Sequence, residues 1–373
     1  MEVLIQNISY ITGPMLVMWA IGGVLIYLAI VKEMEPTLLL PMGFGAILVN
    51  LPVAVEGTGV QHVLDTLFSI GIDGAELFPL MLFIGIGAMI DFQPLLTNPK
   101  LMIFGAAAQF GIFFTLALAS LLGYDLRDAA SISIIGAADG PTSIFVATEL
   151  GSKYLGAIMG AAYSYMALVP LIQPPIIKLC TTKAERKIRM AYKGKPVSKT
   201  TKILFPIVVT VIVGIVAPDA VALIGFLMFG NLIRECGVMN SISETAQNAL
   251  ANLITIFLGI TIASQMKAAD FLQLDTLIII GLGLVAFIVD TLGGIMIAKL
   301  MNIFLPAGKK INPMIGAAGI SAFPMSARVV HKMGLEEDNQ NFLLMHSIGV
   351  NVSGQIASVI AGGLILALVK GLL

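Results

Sequence analysis

A lone carboxylate stands inside an apolar stretch at Asp139, within Ser133-Ile-Ile-Gly-Ala-Ala-Asp139-Gly-Pro-Thr-Ser143. Pro141 has no amide hydrogen to donate and disfavours helix in the residue before it. The spacing therefore predicts a helix break at 139–141. A break frees backbone carbonyls beside the carboxylate, and such carbonyls survive at membrane depth only in a protein-lined cavity. Carbonyls, hydroxyls and a carboxylate are hard oxygen ligands, suited to a hard cation. The blander reading is a break at which Asp139 caps the next half-helix through Thr142 or Ser143.

A second proline-flanked, glycine-rich stretch runs from Asn312 to Pro324 and carries only neutral oxygens, at Asn312 and Ser321. Asn312 and Gly316, four apart, are expected on one helical face, and Gly316 lets another backbone come close. One carboxylate facing neutral oxygens suits a monovalent cation. Close helix packing is the alternative use of these small residues. Ser347, Asn351 and Gln355 repeat every fourth residue and form a polar stripe that should face protein or water. Tyr165 is a polar aromatic in a small-residue helix, to be weighed against simple interfacial anchoring. Arg328 follows the second break. Its planar guanidinium could meet a carboxylate substrate with two parallel bonds at the cytoplasmic mouth, or merely snorkel. Asp290 is a further intramembrane carboxylate and a second-rank ion candidate. Glu56, Asp73 and Glu76 lie near interfaces and carry less weight.

The elements that must hold these residues are helices in a bilayer. The chain has 373 residues, 58% hydrophobic and 12% charged, with mean hydropathy +0.97. A soluble domain carries about twice that charged fraction. Apolar runs lie at 15–31, 37–55, 77–90, 101–122, 155–177, 203–217, 220–233, 253–264, 277–301 and 342–369. With roughly 20 residues needed to span, they predict an all-α polytopic membrane protein of about ten to eleven helical passages. Nine of the 21 basic residues fall in 178–202, which the positive-inside rule places in the cytoplasm. That segment could also dock an acidic soluble subunit or anionic lipid.

The basic segment divides the chain into 1–177, with the first repeat, and 203–373, with the second. Phe83-Ile-Gly-Ile-Gly-Ala is echoed by Phe257-Leu-Gly-Ile-Thr-Ile, Asp91-Phe-Gln-Pro-Leu by Asp270-Phe-Leu-Gln-Leu, and Ile135-Gly-Ala-Ala-Asp-Gly by Ile315-Gly-Ala-Ala-Gly-Ile. Matches in one order at a nearly constant offset predict inverted repeats, each supplying a broken or re-entrant helix at mid-membrane. Residues 1–14 lack a basic n-region and a small-residue cleavage site, so the first apolar run is expected to be retained. Net charge is -1, which gives no field for nucleic acid. No GxxxxGK[ST] and no HExxH occur, and the three histidines do not cluster. Cys180 and Cys236 read as free thiols without a role.

Gly136-Ala-Ala-Asp139-Gly-Pro-Thr, Gly85-Ile-Gly-Ala-Met-Ile-Asp91-Phe and Asn351-Val-Ser-Gly354-Gln-Ile resemble the β subunit of the biotin-dependent sodium-pumping decarboxylases. That family acts on oxaloacetate, methylmalonyl-CoA and glutaconyl-CoA. The resemblance covers nearly the whole chain. Beside the oxaloacetate members the chain looks short at its N-terminus and closer to the acyl-CoA members. The resemblance implies a multi-pass protein of the inner (plasma) membrane that decarboxylates carboxybiotin. The biotin is carried by a partner subunit, Na+ is exported, and a periplasmic proton is consumed. It implies as partners a carboxyltransferase subunit, a biotin carrier subunit and a small membrane subunit, with a homo-oligomer also open. It implies Asp139, Asn312 and Asn351 as sodium ligands, and Tyr165, Gly316, Ser321 and Arg328 in ion handling or carboxybiotin contact. A sodium–carboxylate symporter and a membrane anchor for soluble partners are the competing readings.

Overall fold

In hydrocarbon every backbone polar group must be satisfied within the chain, and continuous apolar runs achieve this as helices. The computed structural model describes residues 9–52, 59–74, 76–192, 194 and 196–372. No strand occurs among the described residues. The principal helices are α1 (Gly13–Val31), α2 (Pro36–Val49), α3 (Leu77–Met89), α4 (Met102–Ala108), α5 (Phe110–Leu121), α6 (Leu126–Ser133) and α7 (Gly140–Glu149). There follow α8 (Leu155–Cys180), α9 (Lys199–Val216), α10 (Val221–Glu235), α11 (Ala251–Ala263), α12 (Leu274–Phe304), α13 (Met325–Glu337) and α14 (Leu344–Leu372).

Seven helical stretches among the described residues are long and apolar enough to cross a membrane, or eight if the bent pair ending in α3 counts as one span. The chain is a multi-pass membrane protein. The sequence-based count of ten to eleven is higher because it included α2 and α10, with 14 and 15 residues, short of a full span. The run at 101–122 is interrupted at Gln109, where α4 gives way to α5. Glu56, the end of the run at 37–55, and Lys193 and Lys195 lie outside the described residues.

Helices in lipid gain little from burying apolar side chains against each other, so close backbone approach has to hold them. Gly87 on α3 and Gly230 on α10 do this reciprocally: a Cβ at either would overlap backbone of the other helix. Gly294 on α12 and Gly316 form a second such pair. Two buried apolar clusters result. The larger surrounds both breaks and includes Phe104, Ile135, Phe287, Ile320 and Val359. The smaller joins α1, α2 and α11 through Met18, Leu38, Met42 and Leu258, and reaches α8 at Tyr163.

The basic segment is strapped to the second half of the chain. Thr182 and Glu185 form a reciprocal capping box. Arg186 pairs with Glu337 at 2.6 Å and Arg189 with Asp338 at 2.6 Å. The hydrogen bond from Arg189 holds the Asp338 carboxyl below its ordinary value. Asn312 and Asn341 both donate to the Arg186 carbonyl, at 2.9 and 2.8 Å.

Candidate functional site

The first break forms where the sequence places it. A single 3-10 turn, Ile134–Ala137, ends in Ala138 at φ 52°, and Asp139 then opens α7 as its N-cap. Its Oδ1 accepts the Thr142 amide at 3.4 Å. Its Oδ2 accepts from the Thr142 hydroxyl at 2.8 Å, Gln355 Nε2 at 3.0 Å and the Ser358 hydroxyl at 2.7 Å. The carboxylate is buried, and all four donors are neutral. The capping reading and the ion-site reading thus describe one arrangement. The cap orients the carboxylate, and α14 supplies its remaining partners.

The second break lies against the first. The Ser321 amide donates to the Ala137 carbonyl at 2.9 Å. The Ser321 hydroxyl donates to the Gly354 carbonyl at 3.0 Å, and Asn351 Nδ2 to the Ile320 carbonyl at 2.7 Å. Gln173 on α8 holds the other side, donating to the Ala317 carbonyl at 2.7 Å and accepting from Ser326 at 2.9 Å. Asn351 Oδ1 is buried and has no hydrogen-bond partner among the described residues. An acceptor left bare in a buried site costs about 1–3 kcal/mol.

The remaining residues singled out from the sequence divide. Asp139, Ser321 and Arg328 line one cavity of about 200 Å³, together with Gln355, Asn252 and Glu35. Arg328 is exposed there, and no ion pair or hydrogen bond engages its guanidinium among the described residues. Asn312 does not join them. It precedes the short helix at 314–317 rather than sharing a face with Gly316. Its Nδ2 is spent on the Arg186 and Ile188 carbonyls, both at 2.9 Å, and its Oδ1 accepts the Met314 amide. Gly316 is occupied by its contact with Gly294. Tyr165 donates to the Ile280 carbonyl; the tyrosine that packs on the first break is Tyr163, whose ring covers Gly140. Two larger concavities, walled by Met102, Ile103 and Phe113 or by Leu40, Phe44 and Ile256, have almost wholly apolar linings and belong to the outer face of the bundle.

A buried carboxylate on a broken helix and an unpaired guanidinium thus line one cavity where the two breaks touch. Residues 14–369 match the family described as the Na+-transporting oxaloacetate decarboxylase beta subunit. The chain belongs to this family. Among its relatives, the glutaconyl-CoA decarboxylase subunit beta of Acidaminococcus fermentans is 50% identical, covering 95% of this chain and 93% of the relative. The methylmalonyl-CoA decarboxylase subunit beta of Propionigenium modestum is 47% identical, covering 95% and 94%. The oxaloacetate decarboxylase beta chain of Klebsiella pneumoniae is 44% identical, covering 98% of each.

Several residues of this β subunit's site escaped the sequence reading. Ser358 continues the stripe of Ser347, Asn351 and Gln355 by three more positions, so helical spacing carried its signal. Glu35, Asn252, Gln173 and Ser326 had none, since each is brought in by tertiary packing.

Proposed function

We propose that this β subunit removes CO2 from carboxybiotin presented by a carrier subunit and uses the event to export sodium, consuming a proton. The observation that carries the reading is the Asp139 carboxylate, buried among neutral donors where the two breaks touch, in the same cavity as the unpaired Arg328. An uncompensated buried charge is costly. A carboxylate so placed therefore holds a cation or a proton, and exchanges one for the other. Asn351 Oδ1, the Ser321 hydroxyl and nearby carbonyls supply neutral oxygens for a sodium ion. Asn312 and Gly316 act at one remove: Asn312 ties the basic segment to the second break, and Gly316 seats that break on α12.

Arg328 meets the substrate carboxylate with two parallel bonds. The N–CO2 bond then breaks, its electron pair stays on the ureido nitrogen, and CO2 leaves as a neutral molecule. The nitrogen takes up one proton. Taking it from Asp139 leaves the carboxylate charged and ready for the next sodium ion, which links chemistry to transport. The halves 1–177 and 203–373 are read as inverted repeats; the contact between their breaks and the sequence echoes support this. The basic segment faces the cytoplasm of a cell whose inner (plasma) membrane holds the protein. A carboxyltransferase subunit, a biotin carrier and a small membrane subunit complete the complex.

The test is carboxybiotin decarboxylation by the assembled complex with Asp139→Asn, which keeps the shape and removes the charge. Turnover should fall by about a hundredfold or more, and the residue should no longer respond to sodium. Retained sodium-dependent turnover with an unchanged pH profile would overturn the mechanism.

A further inference from the structure

The basic segment enters the reading above only through its orientation, yet the structure divides its cations into two groups. One group is spent on the protein itself. Arg186 and Arg189 pair with Glu337 and Asp338, and Lys202 lies 3.9 Å from Asp91 and 3.6 Å from Glu235. The other group is Lys178, Lys183 and Lys187. All three are exposed, and none has an ion pair or a side-chain hydrogen bond among the described residues. Neighbouring elements enlarge this second group. Asn312 Nδ2 bonds the Arg186 and Ile188 carbonyls, which brings Lys309 and Lys310, just before it in the chain, to the same strap. Lys332 stands on α13 five residues before Glu337 and four after Arg328, hence on the Arg328 face of that helix. These three lysines are also exposed and unpaired among the described residues. The unpaired cations thus extend from the strap to Arg328 at the cavity that holds Asp139.

The acids beside them are mostly consumed. Glu185 takes Lys299 at 3.3 Å, and Glu337 and Asp338 are paired as above, which leaves Glu336 on α13 and Glu35 in the cavity. The other end of the helices is balanced differently. Lys153 precedes α8, Lys267 shares a concavity with Lys153, and Lys370 lies at the end of α14. Each has an acid, at 3.5, 3.6 and 2.8 Å. Orientation in the bilayer calls for basic residues but not for a fixed shape. Ordering a segment costs backbone entropy at every residue, yet this one is ordered. Its capping box, the Asn341 bond to the Arg186 carbonyl, the Asn312 amide on Met190 Sδ and the edge of Tyr192 against His346 all pin it. The outcome is a preset array of cations.

We propose that this array is the docking platform for an acidic face of the protein that carries carboxybiotin. The cavity draws its lining from α2, α3, α7, α8, α11, α13 and α14. Its mouth is therefore ringed by helices, which favours a soluble body over a lipid headgroup as the occupant of the rim. A carrier that brings biotin to Arg328 has to settle on that rim, where the unpaired charge is mainly positive. Complementary charge raises the rate of encounter and fixes the orientation of the partner. A platform already ordered before contact reduces the entropy lost on binding. The array acts on delivery and takes no part in breaking the N–CO2 bond. The inference rests on the reading of this chain as the subunit that decarboxylates carried carboxybiotin.

The experiment gives the purified full-length chain, in neutral detergent, two substrates: carboxybiotin on the separately purified full-length carrier subunit, and free carboxybiotin. Sodium is held fixed and ionic strength is raised with choline chloride. For wild type, kcat/KM for the carrier should fall with salt far more steeply than for free carboxybiotin. Lys183→Glu, Lys310→Glu and Lys332→Glu combined should lower kcat/KM for the carrier by about tenfold or more at low salt. The loss should lie in KM, the salt dependence should flatten, and free carboxybiotin should turn over as in wild type. The three Gln counterparts, which add no new charge, should fall between. Lys153→Glu, at the other end of the helices, should match wild type. Equal kcat/KM for the carrier in wild type and the triple variant overturns the proposal. So does an equal loss on both substrates, which puts these lysines in folding or chemistry. A loss seen only in vesicles containing phosphatidylglycerol, and absent in detergent, gives the array to anionic lipid and also overturns it. Wild type that decarboxylates neither substrate overturns the proposed function, and this inference with it.

Discussion

Glu35 and Arg328 share the cavity with Asp139; a charged Glu35 repels a substrate carboxylate, and Arg328 attracts it. Burial pushes the Glu35 carboxyl above its ordinary 4.5, and the positive charge of Arg328 pulls it part of the way back. Above its shifted value Glu35 is charged and partly neutralises Arg328, which an incoming carboxylate needs. As pH falls through that value Glu35 takes a proton and the guanidinium is freed. KM for carboxybiotin should therefore be lower below that shifted value than above it. Glu35→Gln should show a low KM at every pH with kcat little changed. The same sign holds for stability: a carboxyl with a raised folded value destabilises the fold when charged, and that penalty is relieved on acidification. Identical pH profiles of KM in wild type and Glu35→Gln would remove Glu35 from the site. At this scale the sequence was legible where a residue announces itself. A carboxylate before Gly-Pro is unusual wherever it stands and marks the break at Asp139; Ser321 stood out as a neutral oxygen in the second proline-flanked stretch, and it lines the same cavity. Tyr165 and Asn312 were harder because their partners are backbone carbonyls, at Ile280 and at Arg186 and Ile188. A carbonyl has no letter in the sequence.

The elements around the site owe their positions to backbone contact as much as to side chains. Gly316 begins the second break with its Cα against the Gly294 carbonyl of α12, and Gly294 returns the contact. Gly316→Ala forces the two backbones apart. Overpacking of this kind costs about 1–3 kcal/mol, so the variant should melt several degrees lower in detergent, and its sodium-dependent turnover should fall with the folded fraction. Wild-type melting for Gly316→Ala would mean the seam yields freely and the break is not seated by it. The runs of apolar residues gave the helices correctly, but their interruptions were only half visible. Proline marks the break at Asp139. Nothing local marks the one at Gln109, because the group that stabilises it, Asp290, arrives from 178 residues away. Short helices such as α2 and α10 inflated the count of spans for the same reason: hydropathy registers how apolar a segment is and says little of whether it goes all the way across.

For the whole molecule, the segment at 178–202 fixes which way the site faces. Its ion pairs to Glu337 and Asp338, and its carbonyls held by Asn312 and Asn341, join it to the end of α13. Arg328 lies nine residues earlier on that helix, so the helix leads from the basic segment toward the cavity. On the function and orientation proposed above, with the segment in the cytoplasm, the carrier subunit would approach from that side. A cysteine introduced at Thr200, which is exposed at the start of α9, should resist an impermeant thiol reagent in intact cells and react once the membrane is opened. Prompt labelling from outside would reverse the orientation. The basic character of this segment was readable from charge alone. That it also grips the second break was not, since the grip uses main-chain atoms of the segment rather than its lysines.

The glycine seams bear on how loss of function is to be interpreted in this protein. A saturation scan scored only by growth would rank Gly294 and Gly316 beside Asp139, and a reader of that ranking would assign all three to the ion. Abundance separates them. Substitutions at the seams should remove the protein from the membrane in proportion to the size of the new side chain. Substitutions at Asp139 should leave a full complement of complexes that no longer turn over. Intolerance at Gly316 then measures how closely two backbones must meet, and it says nothing of what either one binds.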